Sequence, residues 1–444
     1  MCSGRLRPAI LLVTVAAIAA ACSGGDRGEA APPRLSVGDP VTVAAGGRDA
    51  TVARDPATDV TYVAWGRPVS GAAPGRFEAV VARSGDGDTF EDPVVVSPPQ
   101  ANVTSAPLSA VEVAVGRRGE VYVLFADNVP VDLPDHDSGI TSIWLVRSDD
   151  GRNFSAPTGV GTEAVEGTPT TTGMHDLFVA SGGDVFVSYV DLREQLELAL
   201  AKREGPVTDE FDPLPQLRVS RSTDGGRSFA RSVLVAKPGC GGTRLTQPDT
   251  DAGTPAPLYL AHRSEAELPG SYDAVRDPVV SVSRDGGSVW GRPLVVHDDA
   301  FKVSACPEVS PGLAADAGGR LHAAWYTGSG VAPGIYYAAS DDEGKAFSEP
   351  VTLLTDEWVP YGHVQLAVDE GNRPWVAFED RRGEEPEIQV AHIGADGRLA
   401  LSAAWPGRAP QLTAGDGGVV VTWTTGGDGE PGAVRLARVR ASED

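Results

Sequence analysis

Arginines, carboxylates, histidines and cysteines gather where this 444-residue chain approaches each of its apolar runs. Arg48, His175 with Asp176, Arg244, Glu308 and His363 stand a few residues before such runs, near Asp49, Cys240, Cys306, Tyr361 and Arg408. Longer polar segments contribute Tyr272, Asp273 and Arg276 in "HRSEAELPGSYDAVRD" (262–277), and Asp380, Arg381 and Arg382 in "EDRRGEEPE" (379–387). Guanidinium forks match carboxylates bidentately, so Arg244, Arg276, Arg381 and Arg382 could clamp an acidic group. Tyr272, Asp273 or Tyr326 could then supply hydroxyls and a carboxylate beside it. Each of these residues, taken singly, also reads as an ordinary solvated side chain. Segments 127–139 and 191–212 are further long polar loops, and loops of that length are usual carriers of function.

The chain opens with Arg5 and Arg7, then "AILLVTVAAIAA", an apolar run too short for a confident membrane span. It ends in Ala19-Ala20-Ala21-Cys22, followed by the flexible "SGGDRGEAAPPR". This pattern resembles a bacterial lipoprotein signal. The resemblance implies a signal peptide over 1–21, a lipidated Cys22, a tether over 22–34 and an extracytoplasmic, membrane-anchored protein. An ordinary secretory peptide cleaved nearby is the alternative, with the same compartment. In that compartment the even pair Cys240 and Cys306 reads as a disulfide. A metal site formed by these cysteines with His175 and His363 lacks the usual ligand spacings, so neither metal nor cofactor is expected. A net charge of −24 argues against nucleic acid, which needs a basic face.

The elements that must position these side chains come from repeats. "STDGGRSF" (222–229), "SRDGGSVW" (283–290) and "SDDEGKAF" (340–347) share S-x-D-x-G-x-x-[FW]. Their repeated residues are Asp224, Gly226 and Phe229; Asp285, Gly287 and Trp290; and Asp342, Gly344 and Phe347. "RSGDGDTF" (83–90) and "RSDDGRNF" (147–154) align on their Gly and Phe, which puts Gly85 and Asp149 at the acidic position. "GADGRLAL" (394–401) is a degenerate sixth copy. In such a turn the carboxylate accepts backbone N–H groups and glycine supplies positive φ.

A second repeat consists of seven strand-like runs ending at Trp65, Phe125, Tyr189, His262, Trp325, Phe378 and Trp423. Most follow a Gly/Asp turn, so each unit reads as four strands. The last unit has only three, and "LSVGDPVTVAA" (35–45) resembles the strand it lacks.

The shorter repeat resembles the Asp-box, or BNR repeat, of sialidase-like β-propellers. That resemblance implies an all-β fold over 35–444, a propeller of seven four-stranded blades closed by the N-terminal strand, with six blades as the alternative. The segment from Cys240 to "HAAWYTG" is also similar to largely uncharacterised actinobacterial members of this group. In this architecture the Asp-boxes are structural, and a ligand meets the opposite face. The early [FY]-R-I-P motif of the catalytic sialidases is absent, so no residue carries over as catalytic. The expectation is a glycan- or protein-binding lipoprotein. A diverged exo-sialidase-like hydrolase and a protein-interaction platform are the alternatives.

Overall fold

The computed structural model describes residues 34–130, 140–204, 214–239, 241–249, 256–267, 274–303, 309–415 and 417–442. Residues 1–33, with the expected signal and Cys22, lie outside the described residues, as do Cys240, Tyr272, Asp273, Cys306 and Glu308.

β-branched and aromatic side chains fill the runs that end in the repeated aromatics, and such residues suit a pleated, buried surface. They form Thr61–Pro68, Val121–Asn128, Val185–Asp191, Leu258–Arg263, Leu321–Thr327, Pro374–Asp380 and Gly418–Thr424, buried along most of their length. Each is the second strand of an antiparallel meander. The first strands are the latter half of Val41–Arg54, then Glu112–Val115, Thr171–Val179, Arg244–Thr246, Gly312–Ala315, Val364–Val368 and Arg408–Gly415. The third strands include Phe77–Ser84, Thr141–Ser148, Gln216–Ser222, Pro278–Ser283, Gly334–Ser340, Glu387–Ile393 and Gly432–Ala441. Short outer strands such as Val94–Val95 and Val351–Thr355 complete the meanders.

The last meander takes its outer strand from the beginning of the described chain. Leu35–Val37 pairs with Val439–Ala441, and Val41–Gly47 pairs with Gly432–Leu436. The same strand then continues as Arg48–Arg54 against Thr61–Gly66, the first meander's second strand. One strand therefore belongs to two sheets.

The core lies between meanders. Ala64, Val81, Val111, Val123 and Phe125 pack between the first and second. Equivalent apolar layers follow around the series. The final layer joins Val420, Val434 and Leu436 of the seventh to Val63, Trp65 and Val80 of the first. Six of the seven repeated aromatics sit in these layers, facing the preceding meander. His262 takes the seventh place with polar partners, its ring nitrogens 3.0 Å from the Arg263 carbonyl and 2.9 Å from Ser281 Oγ.

One element departs from expectation. Within the polar segment read as a loop (191–212), Arg193–Glu204 is an α-helix. Its glutamates, leucines, alanines and lysine are strong helix formers, and Asp191 accepts the Arg193 amide at 2.9 Å to cap its start.

The third-to-fourth-strand turns carry the shorter repeat. Ser222 Oγ donates to Asp224 at 2.7 Å, the Gly226 amide donates to Ser222 Oγ, and the Arg227 and Ser228 amides donate to Asp224. The Ser283–Asp285–Gly287 and Ser340–Asp342–Gly344 turns repeat the pattern. Phe229, Trp290 and Phe347 pack against the layer formed with the preceding meander.

The two divergent copies need a correction. Ser148 donates to Asp150, which accepts the Arg152 and Asn153 amides. Asp149 is exposed, 3.4 Å from Arg147, and has no part in the turn. In the first copy Ser84 and Asp86 fill these roles, so Gly85 replaces nothing. Both turns are one residue shorter. Gly87 and Gly151 donate to a serine three residues back, where Gly226 reaches four. Aligning on Gly and Phe shifts the acidic position by one.

Phe378→Ala should empty part of a core layer and cost about 3–5 kcal/mol, read as a lower midpoint of chemical unfolding. The serine hydroxyl and turn amides hold the Asp224 carboxyl well below the usual range. A folded pKa below the unfolded value of about 3.9 stabilises the fold above that pH, and the contribution is lost as pH falls through the folded pKa. Asp224→Asn should therefore lower the melting temperature at pH 7, with the gap to wild type narrowing in acid. An unchanged melt at pH 7 would count against the turn's structural role.

Candidate functional site

In each meander the first strand begins at the same end where the second-to-third-strand loop lies. The Ser/Asp turns lie at the other. The candidate residues that the structure describes sort by these two ends, and most belong to the leading end. There they form two groups.

The first group joins meanders that are not neighbours. Asp176 is buried at the start of the third meander, where its Oδ1 accepts Arg244 Nη1 at 2.5 Å and its Oδ2 accepts the Leu245 amide at 2.6 Å. Arg244 Nη2 donates to Gln365 Oε1 of the sixth meander at 2.8 Å. Glu112 of the second meander accepts the Leu177 amide at 2.6 Å. Burial, with the Asp176 charge beside it, pushes the Glu112 carboxyl well above the usual range, and Arg244 opposes that shift. His175 is buried with Nε2 2.9 Å from the Ala110 carbonyl, and burial lowers its pKa to about 4, so it is neutral at pH 7. One guanidinium thus pairs with buried Asp176, bonds Gln365 and lies within charge range of part-buried Glu112.

The second group spans the sixth, seventh and first meanders. Arg381 Nη2 donates to Asp428 Oδ2 at 2.6 Å, while Arg408 Nη1 holds Asp428 Oδ1 and Arg408 Nη2 holds the Gly427 carbonyl. Glu379 is buried beneath them, its Oε1 3.7 Å from Arg381 Nη1 and without a hydrogen-bond partner. Burial raises the Glu379 carboxyl above its usual range, against the lowering charges of Arg381 and Arg408. His363 is held down to about 4 by burial and then by these arginines. Arg48 lies 3.5 Å from Asp49 and over the Phe77 ring, and the charges of Arg48 and Arg408 both act on buried Asp49. Burial is the larger influence and raises the Asp49 carboxyl.

The backbone explains why Arg48 and Arg408 occupy equivalent places. "GRDA" (47–50) and "GRAP" (407–410) are the same motif at the start of two first strands. Both strands slip register there, with positive φ at Asp49 and Ala409. A Cβ on Gly47 would lie 2.4 Å from Trp65 Cδ1, and one on Gly407 2.3 Å from Trp423 Cδ1. Glycine is required so that each tryptophan can close on the strand, and the following arginine is turned to the leading end.

Aromatic surface borders this group. Arg381 Cζ sits 5.4 Å from the Tyr361 ring centroid. Tyr361 is 49% exposed, so its ring can offer apolar surface to a ligand while the guanidinia meet an anion.

Other expected residues lie elsewhere. Tyr326 is buried, donating its hydroxyl to the Val359 carbonyl at 2.9 Å, and offers no reactive group. Arg276 pairs with Glu265 at 2.5 Å. Asp380 is held by Arg382 through bonds of 2.8 and 2.9 Å, and Arg382 also reaches Asp356. The four-arginine clamp therefore does not assemble: Arg381 belongs to the second group, Arg244 to the first. A cavity of about 530 Å³ opens at the turn end, between Arg118, Tyr122, Arg147 and Arg227. Its arginines pair locally with Glu120, Asp149 and the Asp224 carbonyl. Glu112, Gln365 and Asp428 were not marked by sequence; the Gly-Arg start shared by residues 47–48 and 407–408 is the signal that points past Arg408 to the loop carrying Asp428.

No protein-family model and no curated protein matches the chain. Among solved structures it is similar to a protein of unknown function from Dyadobacter fermentans, at 12% identity and TM-score 0.52, over 92% of this chain and 99% of that one. It is similar to a PL25 ulvan lyase at 10% identity and TM-score 0.51, over 89% of this chain and 94% of that one. The Hadza microbial sialidase Hz136 matches at 15% identity and TM-score 0.48, over 76% of this chain and 63% of that one. At such identities the likeness concerns the fold, an all-β succession of antiparallel sheets.

Arg244→Ala would strand buried Asp176 without its cation. It should destabilise by about 3–5 kcal/mol, seen as a lower melting temperature. An unaltered melt would return Arg244 to the list of ligand-binding candidates.

Proposed function

We propose that this chain is a sialidase-like, seven-bladed propeller that binds an acidic glycan at its leading end. In this reading the meanders are the blades, the Ser/Asp turns are Asp-boxes, and Cys22 carries a lipid that anchors the protein outside the cytoplasm. The core layers support the ring, because the last of them returns from the seventh meander to the first. The side-chain observation carrying the functional reading is Arg381 and Arg408 meeting on Asp428 beside the exposed Tyr361 ring, with Arg408 also acting on Asp49, the partner of Arg48. Aromatic faces stack on the C–H faces of sugar rings, and paired guanidinia select a carboxylate or sulfate. Fold likeness to the ulvan lyase is compatible with a carbohydrate ligand, but the ligand class rests on these side chains.

A second reading is a glycoside hydrolase. It is favoured by one observation: Glu379, a buried carboxyl above its usual range, lies beside Arg381, which also covers Tyr361. Carboxyls shifted in this way serve as acids or bases at glycosidic bonds.

Calorimetry with sialyllactose and with a glucuronate-containing oligosaccharide tests the binding. Arg408→Ala should weaken it tenfold or more, about 1.4 kcal/mol, and Tyr361→Ala should weaken it severalfold. Failure of every acidic glycan to bind, or equal binding by Arg408→Ala, would refute the acidic-glycan reading. Turnover of a fluorogenic sialoside that disappears in Glu379→Gln would establish the hydrolase instead.

A further inference from the structure

The loop 425–431 crosses from the second to the third strand of the last meander and carries "TGGDGEP". Its base is fastened. The Thr425 amide donates to the Ala433 carbonyl at 3.0 Å, and the Ala433 amide donates to Thr425 Oγ1 at 2.9 Å. Its tip rests on the two arginines, which grip Asp428 and the Gly427 carbonyl. The Asp428 side chain remains 69% exposed even so. Each carboxylate oxygen takes a different guanidinium, the arrangement a ligand carboxylate would adopt.

We propose that Asp428 is a built-in competitor: its carboxylate occupies the Arg381–Arg408 clamp in the free protein and must swing away when an anionic sugar binds. This rests on the acidic-glycan reading above and adds how that site is controlled. Three observations carry it. The loop tip is exposed and glycine-rich, while its base is pinned, so the tip can lift without disturbing the sheet. The two guanidinia that share Asp428 repel one another when no anion lies between them, so the clamp favours a displacing group that is itself negative. Glu379 Oε1 is buried against Arg381 with no hydrogen-bond donor. A ligand hydroxyl entering with the acid can supply one.

The cost to the ligand follows from the fraction of time that the clamp is open, since apparent affinity falls in that proportion. A tip that closes the clamp nine-tenths of the time weakens acidic ligands about tenfold. It leaves neutral sugars unaffected.

The test compares full-length wild type, Asp428→Asn and Arg408→Gln by calorimetry with N-acetylneuraminic acid, glucuronic acid and glucose. Asp428→Asn keeps the shape of the side chain and removes its charge. It should bind both acids roughly tenfold more tightly and glucose no differently, and Arg408→Gln should lose the acids. If the acids bind wild type through Arg408 but no tighter to Asp428→Asn, the competitor role is overturned and the site reading stands. If neither acid binds wild type or Asp428→Asn, both fall, because the opened clamp is the stronger binder. Melting curves accompany each variant. A lower melt for Asp428→Asn with unchanged affinity marks Asp428 as a structural latch and also overturns the proposal.

Discussion

The strand Val41–Arg54 is held in two sheets at once, and the rest of the molecule depends on that sharing. Its first half hydrogen-bonds to Gly432–Leu436 and its second half to Thr61–Gly66. The seventh meander therefore has no open outer edge at its third strand, and the first cannot drift from the seventh. An exposed strand edge invites pairing with other chains. Here the edge is covered by a segment nearly four hundred residues away in sequence. The bulge that lets the strand pass between sheets is also the point where Arg48 turns outward, so closure of the fold and display of a charged side chain are one local event.

Around this closure the interior divides by chemistry. Between the meanders the layers are aliphatic and aromatic, packed through Trp65, Phe125, Tyr189, Trp325, Phe378 and Trp423. At the leading ends of the meanders the enclosed groups are polar: Asp49, His175, Asp176 and Glu379 are buried, and Glu112 and His363 are part-buried. Their burial opposes charge, so the carboxyls rise and the histidines fall in pKa. Groups perturbed by burial and a specific charged partner concentrate at functional sites, although ion networks of purely structural use produce the same shifts. Arg244 is spent on holding Asp176 beside Glu112, whereas Arg381 and Arg408 meet a carboxylate on an exposed loop.

Much of the scaffold was legible because it repeats. Second strands ending in a large aromatic recur because each must fill one layer, and residues 35–45 could be matched to the missing strand because outer strands share a pattern. The Ser/Asp turns were visible as well, yet their register slipped by one in the two shorter copies, where a deletion leaves Gly and Phe in line but moves the acid from Asp149 to Asp150. The helix Arg193–Glu204 was hidden by its polarity. The site was less legible. Arg48, His363 and Arg381 could be placed at the leading end, but partners come from other meanders. Whether Arg244 faces Asp176 or a ligand is decided by which strands become neighbours, and Asp428 has no local signature beyond a glycine-rich turn.

The outer strand of the last meander runs from Leu35 toward Arg48, that is, from the turn end to the leading end. Arg34 accepts the Ser442 amide there, and Leu35 pairs with Ala441, close to the Gly415–Gly418 turn. Arg34 and Leu35 thus lie at the turn end, on the side opposite the arginines. This outer strand carries the chain from the turn end to the arginines, across the full height of a meander.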